Sequence, residues 1–247
     1  MTENENLISM NNFLSKQEKI NIDDKNYNKI MFLYKSALKE LETKIEILQE
    51  ELKEFYGYNP IDHVSSRIKT SESIIKKLNK KNYNLTYENM IEKLNDIAGI
   101  RIVCNFKDDV YRIAEYIESF QNIKVINKKD YIKNPKKTGY MSYHLILEVP
   151  INFAKGIIYV KVEVQIRTVG MDFWATLEHK LKYKGNSKLS KKDEKNLIKY
   201  AHIINNIDDK MYILSNKEEI LNQNITAIPI AAKNKINDDN KGFMVKM

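Results

Sequence analysis

The chain has 247 residues, 41 lysines and arginines against 33 aspartates and glutamates, and a formal net charge of +8. Its 43% hydrophobic and 30% charged content is ordinary for a globular chain, no apolar run approaches the roughly 18 residues of a membrane helix, and MTENENLISM lacks the positive-then-apolar order of a secretory signal. A single cysteine, Cys104, excludes an internal disulfide, and histidines at 63, 144, 179 and 202 lack zinc spacing, so the reading is a cytoplasmic protein, off the membrane and without a structural metal.

Residues 1–25 are polar and aperiodic and read as a flexible tail. From Tyr27 through Ile30, Met31, Tyr34, Leu38, Leu41, Ile45, Leu48 and Leu52 to Phe55, apolar residues recur at steps of three and four, predicting an amphipathic helix within 26–58. A second helix is expected over Val64 to Leu78, with Lys69, Ser73 and Lys77 on one polar face. A short helix near Tyr87 leads to the apolar run GIRIVCNF at 99–106, a central strand. Val110, Ile113, Ala114, Ile117 and Phe120 mark the next helix, and IKVI at 123–126 another strand.

Lys128, Lys129, Lys133, Lys136 and Lys137 then crowd a stretch holding Pro135 and Gly139, read as a loop. Strands follow at about Met141 to Val149 and Ile157 to Arg167. In the second, Ile158, Val160, Val162, Val164 and Ile166 share one face, and Lys161, Glu163, Gln165 and Arg167 the other, which must meet water or a ligand. Met171, Trp174, Ala175 and Leu181 mark a helix. A last one begins near Ser190 with Leu197, Ala201, Ile204, Ile207 and Met211 inward. The pattern gives an α+β fold: catalytic domain 59–188, C-terminal helix 189–220, flexible tail 221–247.

Only seven glycines occur, none in a Walker or dinucleotide-binding arrangement. Bound phosphates must then be held by side chains, which singles out Arg67, Lys69, Ser73, Lys77, Arg101, Lys136 and Lys137. Magnesium takes one or two carboxylates plus phosphate and water oxygens, and Asp96 and Glu163 are the candidates. Read singly, each has an ordinary alternative: a capping aspartate, a solvent-facing strand glutamate, a solvated lysine loop.

Four blocks in this order, RIKTSESIIKKL (67–78), DIAGIRIVC (96–104), YIKNPKKTGYMSYHLIL (131–147) and VEVQIRTVGMDFWATLEHKLKYK (162–184), resemble the RelA/SpoT-like alarmone synthetases, in particular the small type called RelQ. The resemblance covers about residues 27–215. It implies a nucleotidyltransferase-like mixed sheet flanked by helices, and an enzyme of stringent-response signalling that moves the β,γ-pyrophosphate of ATP to the 3′-hydroxyl of GTP or GDP.

It further implies that Arg67 and Arg101 sandwich adenine and that Lys69, Ser73 and Lys77 hold the ATP phosphates. Asp96 and Glu163 engage Mg²⁺, with Glu163 also the general base. Tyr140 stacks on guanine, Lys136 meets phosphate, and His144 and Gln165 face the acceptor. A homotetramer is also implied, with synthesis and no hydrolysis of the alarmone. Met141 and Lys137-Thr138 depart from the family pattern beside the acceptor, leaving GTP, GDP or GMP open. Three other readings stand beside it: a nucleotidyltransferase attacking the α-phosphorus, a regulator binding single-stranded RNA through the basic loop, Tyr140 and Tyr143, and an inactive scaffold self-associating through the 27–55 helix, against which the presence of all the candidate catalytic residues argues.

Overall fold

The computed structural model describes residues 18–183 and 189–221. Most of both expected tails, Lys184 of the last matched block, and the AIPIAA cluster lie outside the described residues. Residues 18–24, expected in the first tail, are instead stitched to the domain: Tyr87 N donates to Glu18 O at 3.2 Å and Ile20 N to Leu85 O at 3.0 Å. The chain divides into two compact units after Tyr212. The second is described only over 213–221, which is helical; the first holds the whole sheet.

Helix α1 (Lys25–Tyr56) buries the expected stripe from Tyr27 to Leu52 and ends at Gly57, whose φ of 67° suits a residue without Cβ. Phe55 departs from the expectation: it is 81% exposed, because the last turn has run past the apolar surface that α1 covers. Strand β1 (Ile61–Ile68) and helix α2 (Ser71–Lys80) stand where one helix was expected. The strand shows no period-2 apolar signal because Ser65, Ser66 and Arg67 are all exposed. The break falls at Thr70, whose hydroxyl accepts from Ser73 N at 3.3 Å and caps α2. Lys69 therefore does not share a helical face with Ser73 and Lys77.

After α3 (Tyr87–Lys93) come β2 (Ala98–Cys104), α4 (Lys107–Glu118) and β3 (Lys124–Asp130). Lys128 and Lys129 thus belong to a strand, and only Lys133, Lys136 and Lys137 to the loop after it. Strands β4 (Tyr143–Phe153) and β5 (Gly156–Thr168) form a hairpin in which Pro150, expected in the connection, pairs with Tyr159. It is tolerated because β3 has ended: the β3 to β4 register runs out at Lys124 opposite Glu148. Helices α5 (Val169–Tyr183) and α6 (Lys191–Leu221) follow.

The five strands form one mixed sheet in the order β1-β2-β5-β4-β3, with β2 and β5 parallel and the other pairs antiparallel. Helices α1 and α4 pack on β2, β4 and β5. Their buried residues join Ile100, Ile102, Leu145, Leu147, Val162, Val164 and Ile166 in one core. Each fully buried aliphatic side chain there contributes about 1.5–3 kcal/mol. A second, smaller core of Met141, Met171, Trp174, Ala175 and Ala201 lies among β4's lead-in, α5 and α6. Ile207 and Met211, expected inward on α6, are exposed, since the helix has passed beyond that small core.

Candidate active site

The uncovered sheet face carries the polar residues in register. Arg67 of β1 lies opposite Gly99 of β2, and Gly99 opposite Glu163 of β5; one pair along, Ser65 opposes Arg101, Arg101 opposes Gln165, and Gln165 opposes His144 of β4. Residues paired across a sheet share a face, so strand pairing alone brings together side chains far apart in sequence. Ser65, Ser66, Arg67, Gly99, Ile100, Arg101, Glu163 and Gln165 line an open cleft of about 390 Å³.

At one end of the cleft Asp96 enters just before β2. Its Oδ2 accepts from Lys69 Nζ and Lys77 Nζ, both at 2.7 Å. Lys69 N in turn donates to Ile97 O at 2.8 Å, fixing the turn that delivers the ammonium. Burial pushes the Asp96 carboxyl up, but the two lysines outweigh it and hold the group below its ordinary value. Asp96 Oδ1 is buried and finds no hydrogen-bond partner among the described residues. The exposed Ser73 accepts from the Thr70 hydroxyl at 3.0 Å, beside the start of α2.

Glu163 is central. Its Oε1 lies 3.3 Å from His144 Nδ1, and Oε2 accepts from Gln165 Nε2 at 2.9 Å. Burial and the neighbouring Asp96 charge raise its proton affinity, while His144 and Gln165 lower it further, so the carboxylate is ionised at neutral pH. His144 Nε2 meets Tyr140 Oη at 2.9 Å. That hydroxyl accepts from Arg167 Nη2 at 2.8 Å, and the same nitrogen reaches Gln165 Oε1 at 2.5 Å. Lys136 Nζ sits 4.4 Å from the centre of the Tyr131 ring and 4.6 Å from that of Tyr140.

No motif in the sequence singles out Asp172, in the first turn of α5. Its Oδ1 pairs with Arg167 Nη1 at 3.1 Å and Arg101 Nη1 at 3.4 Å, holding both arginines over the sheet. Arg167 is thereby only 3% exposed, so the expected polar face of β5 is roofed at its end by α5. Gly99 and Tyr131 also join the site without having been expected there. The strand pairing places Gly99 between Arg67 and Glu163; the position of Tyr131 beneath Lys136 has no local sequence signal.

Of the expected site residues, Arg67, Arg101, Glu163 and Gln165 line the cleft. Asp96 joins Lys69 and Lys77, Lys136, Tyr140 and His144 connect to Glu163 through the His144 contact, and the Ser73 hydroxyl pairs with that of Thr70, outside this set. Two carboxylates with an unpartnered buried oxygen match what a hard divalent cation takes from a protein when phosphates complete its shell. Among the described residues no group of three or more His, Cys, Asp or Glu side chains is placed to hold a metal by itself.

Comparison with known proteins gives the family and the fold. The region found in RelA/SpoT proteins matches residues 66–188. GTP pyrophosphokinase YwaC of Bacillus subtilis is 43% identical over 190 residues, covering 77% of this chain and 90% of that protein. The crystal structure of small alarmone synthetase 1 from Bacillus subtilis, bound to its product pppGpp, is similar with a TM-score of 0.72 and 33% identity over 78% of this chain and 98% of that one. Small alarmone synthetase 2 from the same organism gives 0.70 and 40%, over 78% and 100%.

Proposed function

The chain belongs to the RelA/SpoT family and is a GTP pyrophosphokinase of the small alarmone synthetase type, and from that premise we propose how its cleft performs the transfer. The observation that carries the reading is Glu163, an ionised carboxylate held between a lysine- and arginine-lined subsite and an aromatic one.

ATP occupies the β1 side. The guanidinium planes of Arg67 and Arg101 enclose adenine, and Lys69, Ser73 and Lys77 hold the phosphates. GTP or GDP occupies the β4 side, with guanine on Tyr140, a 5′-phosphate at Lys136, and His144 and Gln165 along the nucleotide. Glu163 accepts the proton of the 3′-hydroxyl as that oxygen bonds to the β-phosphorus. The bond from the β-phosphorus to the α,β-bridging oxygen breaks, and AMP leaves. Asp96 and Glu163 would hold magnesium, which supplies charge neutralisation on the transferred phosphates when bound. Lys69 and Lys77, released from Asp96 by the phosphates, neutralise the same charge.

The chain is proposed to act in synthesis only, in the cytoplasm; among the described residues no helix is long and apolar enough to cross a membrane. A homotetramer is proposed through the apolar side chains that α5 and α6 leave exposed, including Phe173, Leu177, Tyr200 and Ile203. Light scattering at four times 29.1 kDa would support it, and a monomer mass would exclude it.

Product analysis tests the transfer. AMP release matched to acceptor consumption supports attack at the β-phosphorus, whereas pyrophosphate release assigns the chain to nucleotidyl transfer. The lysines of β3 and the loop after it, beside Tyr140 and Tyr143, favour single-stranded RNA as a second ligand. RNA binding that survives Asp96→Ala would establish it as separate from the metal site.

A further inference from the structure

We propose that Ala201 of α6 is a positioning residue for the acceptor nucleotide, its small side chain setting the height of the loop that carries Lys136 and Tyr140. The inference rests on the acceptor subsite proposed above. That loop is one closed piece: Gly139 N donates to Lys136 O at 2.8 Å and Lys136 N to Tyr140 O at 3.1 Å. Its underside lies directly on α6. A Cβ added to Gly139 would stand 2.7 Å from Ala201 Cβ, 3.4 Å from Ile198 Cα and 3.4 Å from Trp174 Cζ2, so no space for even a methyl group exists between loop and helix. The φ of Gly139 is +89°, so the loop cannot change residue to relieve the contact.

The helix is tied to its neighbours on both sides of Ala201. Trp174 Nε1 donates to Leu197 O at 3.0 Å, tying α6 to α5, and Thr168 Oγ1 donates to Asp208 about three turns further along α6. Ala201 is 1% exposed and belongs to the same small core as Met141 and Trp174, against which Tyr140 packs. Added volume at 201 therefore displaces the loop rather than the helix. The Tyr140 ring and the Lys136 ammonium move with it, while Arg67, Lys69 and Lys77, on β1 and α2, stay where they are. Displacements near 1 Å at a binding group are worth up to about 10²-fold.

The test compares parent, Ala201→Ser, Ala201→Cys and Ala201→Val as full-length proteins. KM is measured for GDP at saturating magnesium-ATP and for ATP at saturating GDP, and GDP binding is followed separately by calorimetry without ATP. The expected result is a rise of about tenfold in the GDP KM and dissociation constant of Ala201→Val, an ATP KM within about twofold of parent, and a smaller rise of about two- to threefold in GDP KM alone for Ala201→Ser and Ala201→Cys. An unchanged GDP KM in folded Ala201→Val, or equal rises for both substrates, would overturn the proposal, as would loss of folding in the valine variant together with an unaltered GDP affinity in Ala201→Ser and Ala201→Cys. A parent that releases no AMP would instead refute the reading of the reaction, which the ratio of variant to parent GDP affinity does not touch.

Discussion

Replacing Glu163 with glutamine keeps the volume of the side chain and removes only its charge and basicity. The side chain lies at mid-sheet between Gly99 and Ile146, so no cavity opens. An amide NH₂ toward Gln165 Nε2 sets two donors face to face, and toward His144 Nδ1 it bonds only if the imidazole changes tautomer, so the cost in stability is at most about 1 kcal/mol and about 2–4 °C in Tm. The kinetic loss is much larger. Without the base, kcat falls by about 10²–10⁴-fold, equivalent to about 3–5 kcal/mol at 1.36 kcal/mol per tenfold, and the amide has no proton affinity with which to restore it at high pH. Rapid-quench measurement of AMP formation under single-turnover conditions, with a thermal melt on the same sample, separates the two effects. A folded variant within threefold of parent would remove Glu163 from proton transfer.

Both carboxylates also set the acid limb. Glu163 and Asp96 are held below their ordinary values of 4.5 and 3.8, so the stability they contribute is complete above those values and is lost as pH falls toward the depressed folded-state ones. Activity that already declines between pH 7 and pH 6 through Glu163 would contradict this. Asp96→Asn leaves Lys69 and Lys77, whose side chains are 14% and 32% exposed, without their shared counter-charge; a loss of about 3 kcal/mol is expected by urea unfolding, and an unchanged midpoint would refute the pairing. Arg101→Ala should raise the ATP KM about 2- to 30-fold with the acceptor KM steady, and Tyr140→Ala should do the reverse by about 5- to 150-fold. Steady-state kinetics with each substrate varied checks the crossing, and the same substrate affected by both changes would contradict it.

The sequence is most informative where a single face carries the signal. Strand β5 alternates so cleanly that period alone puts Glu163 and Gln165 on the ligand face, and the α1 stripe predicts nearly every buried residue of that helix. Strand β1 reads as helix because, at the edge of the sheet, it is exposed on both faces: Asp62, His63, Ser65, Ser66 and Arg67 offer no apolar alternation, while Ile74 and Leu78 continue a helical one from Ile68. Asp172 is illegible for another reason: its partners Arg101 and Arg167 sit on two different strands, and only the parallel pairing of β2 with β5, which has no local signature, brings them together. Asp96 is named by its residue type, but its link to Lys69 across 27 residues comes from the antiparallel pairing of β1 with β2 and has no local signature either. Residue type identifies the candidates; sheet register decides which of them meet.

The most direct test of the central claim is to incubate the purified protein with magnesium, ATP labelled at the β- or the γ-phosphate, and GDP or 3′-deoxy-GDP, and to separate the nucleotides by chromatography. Either label moving onto GDP with an equal amount of AMP formed, and no transfer to the 3′-deoxy acceptor, is the expected result. Transfer of the γ-label alone, or release of pyrophosphate with AMP joined to the acceptor, would contradict it.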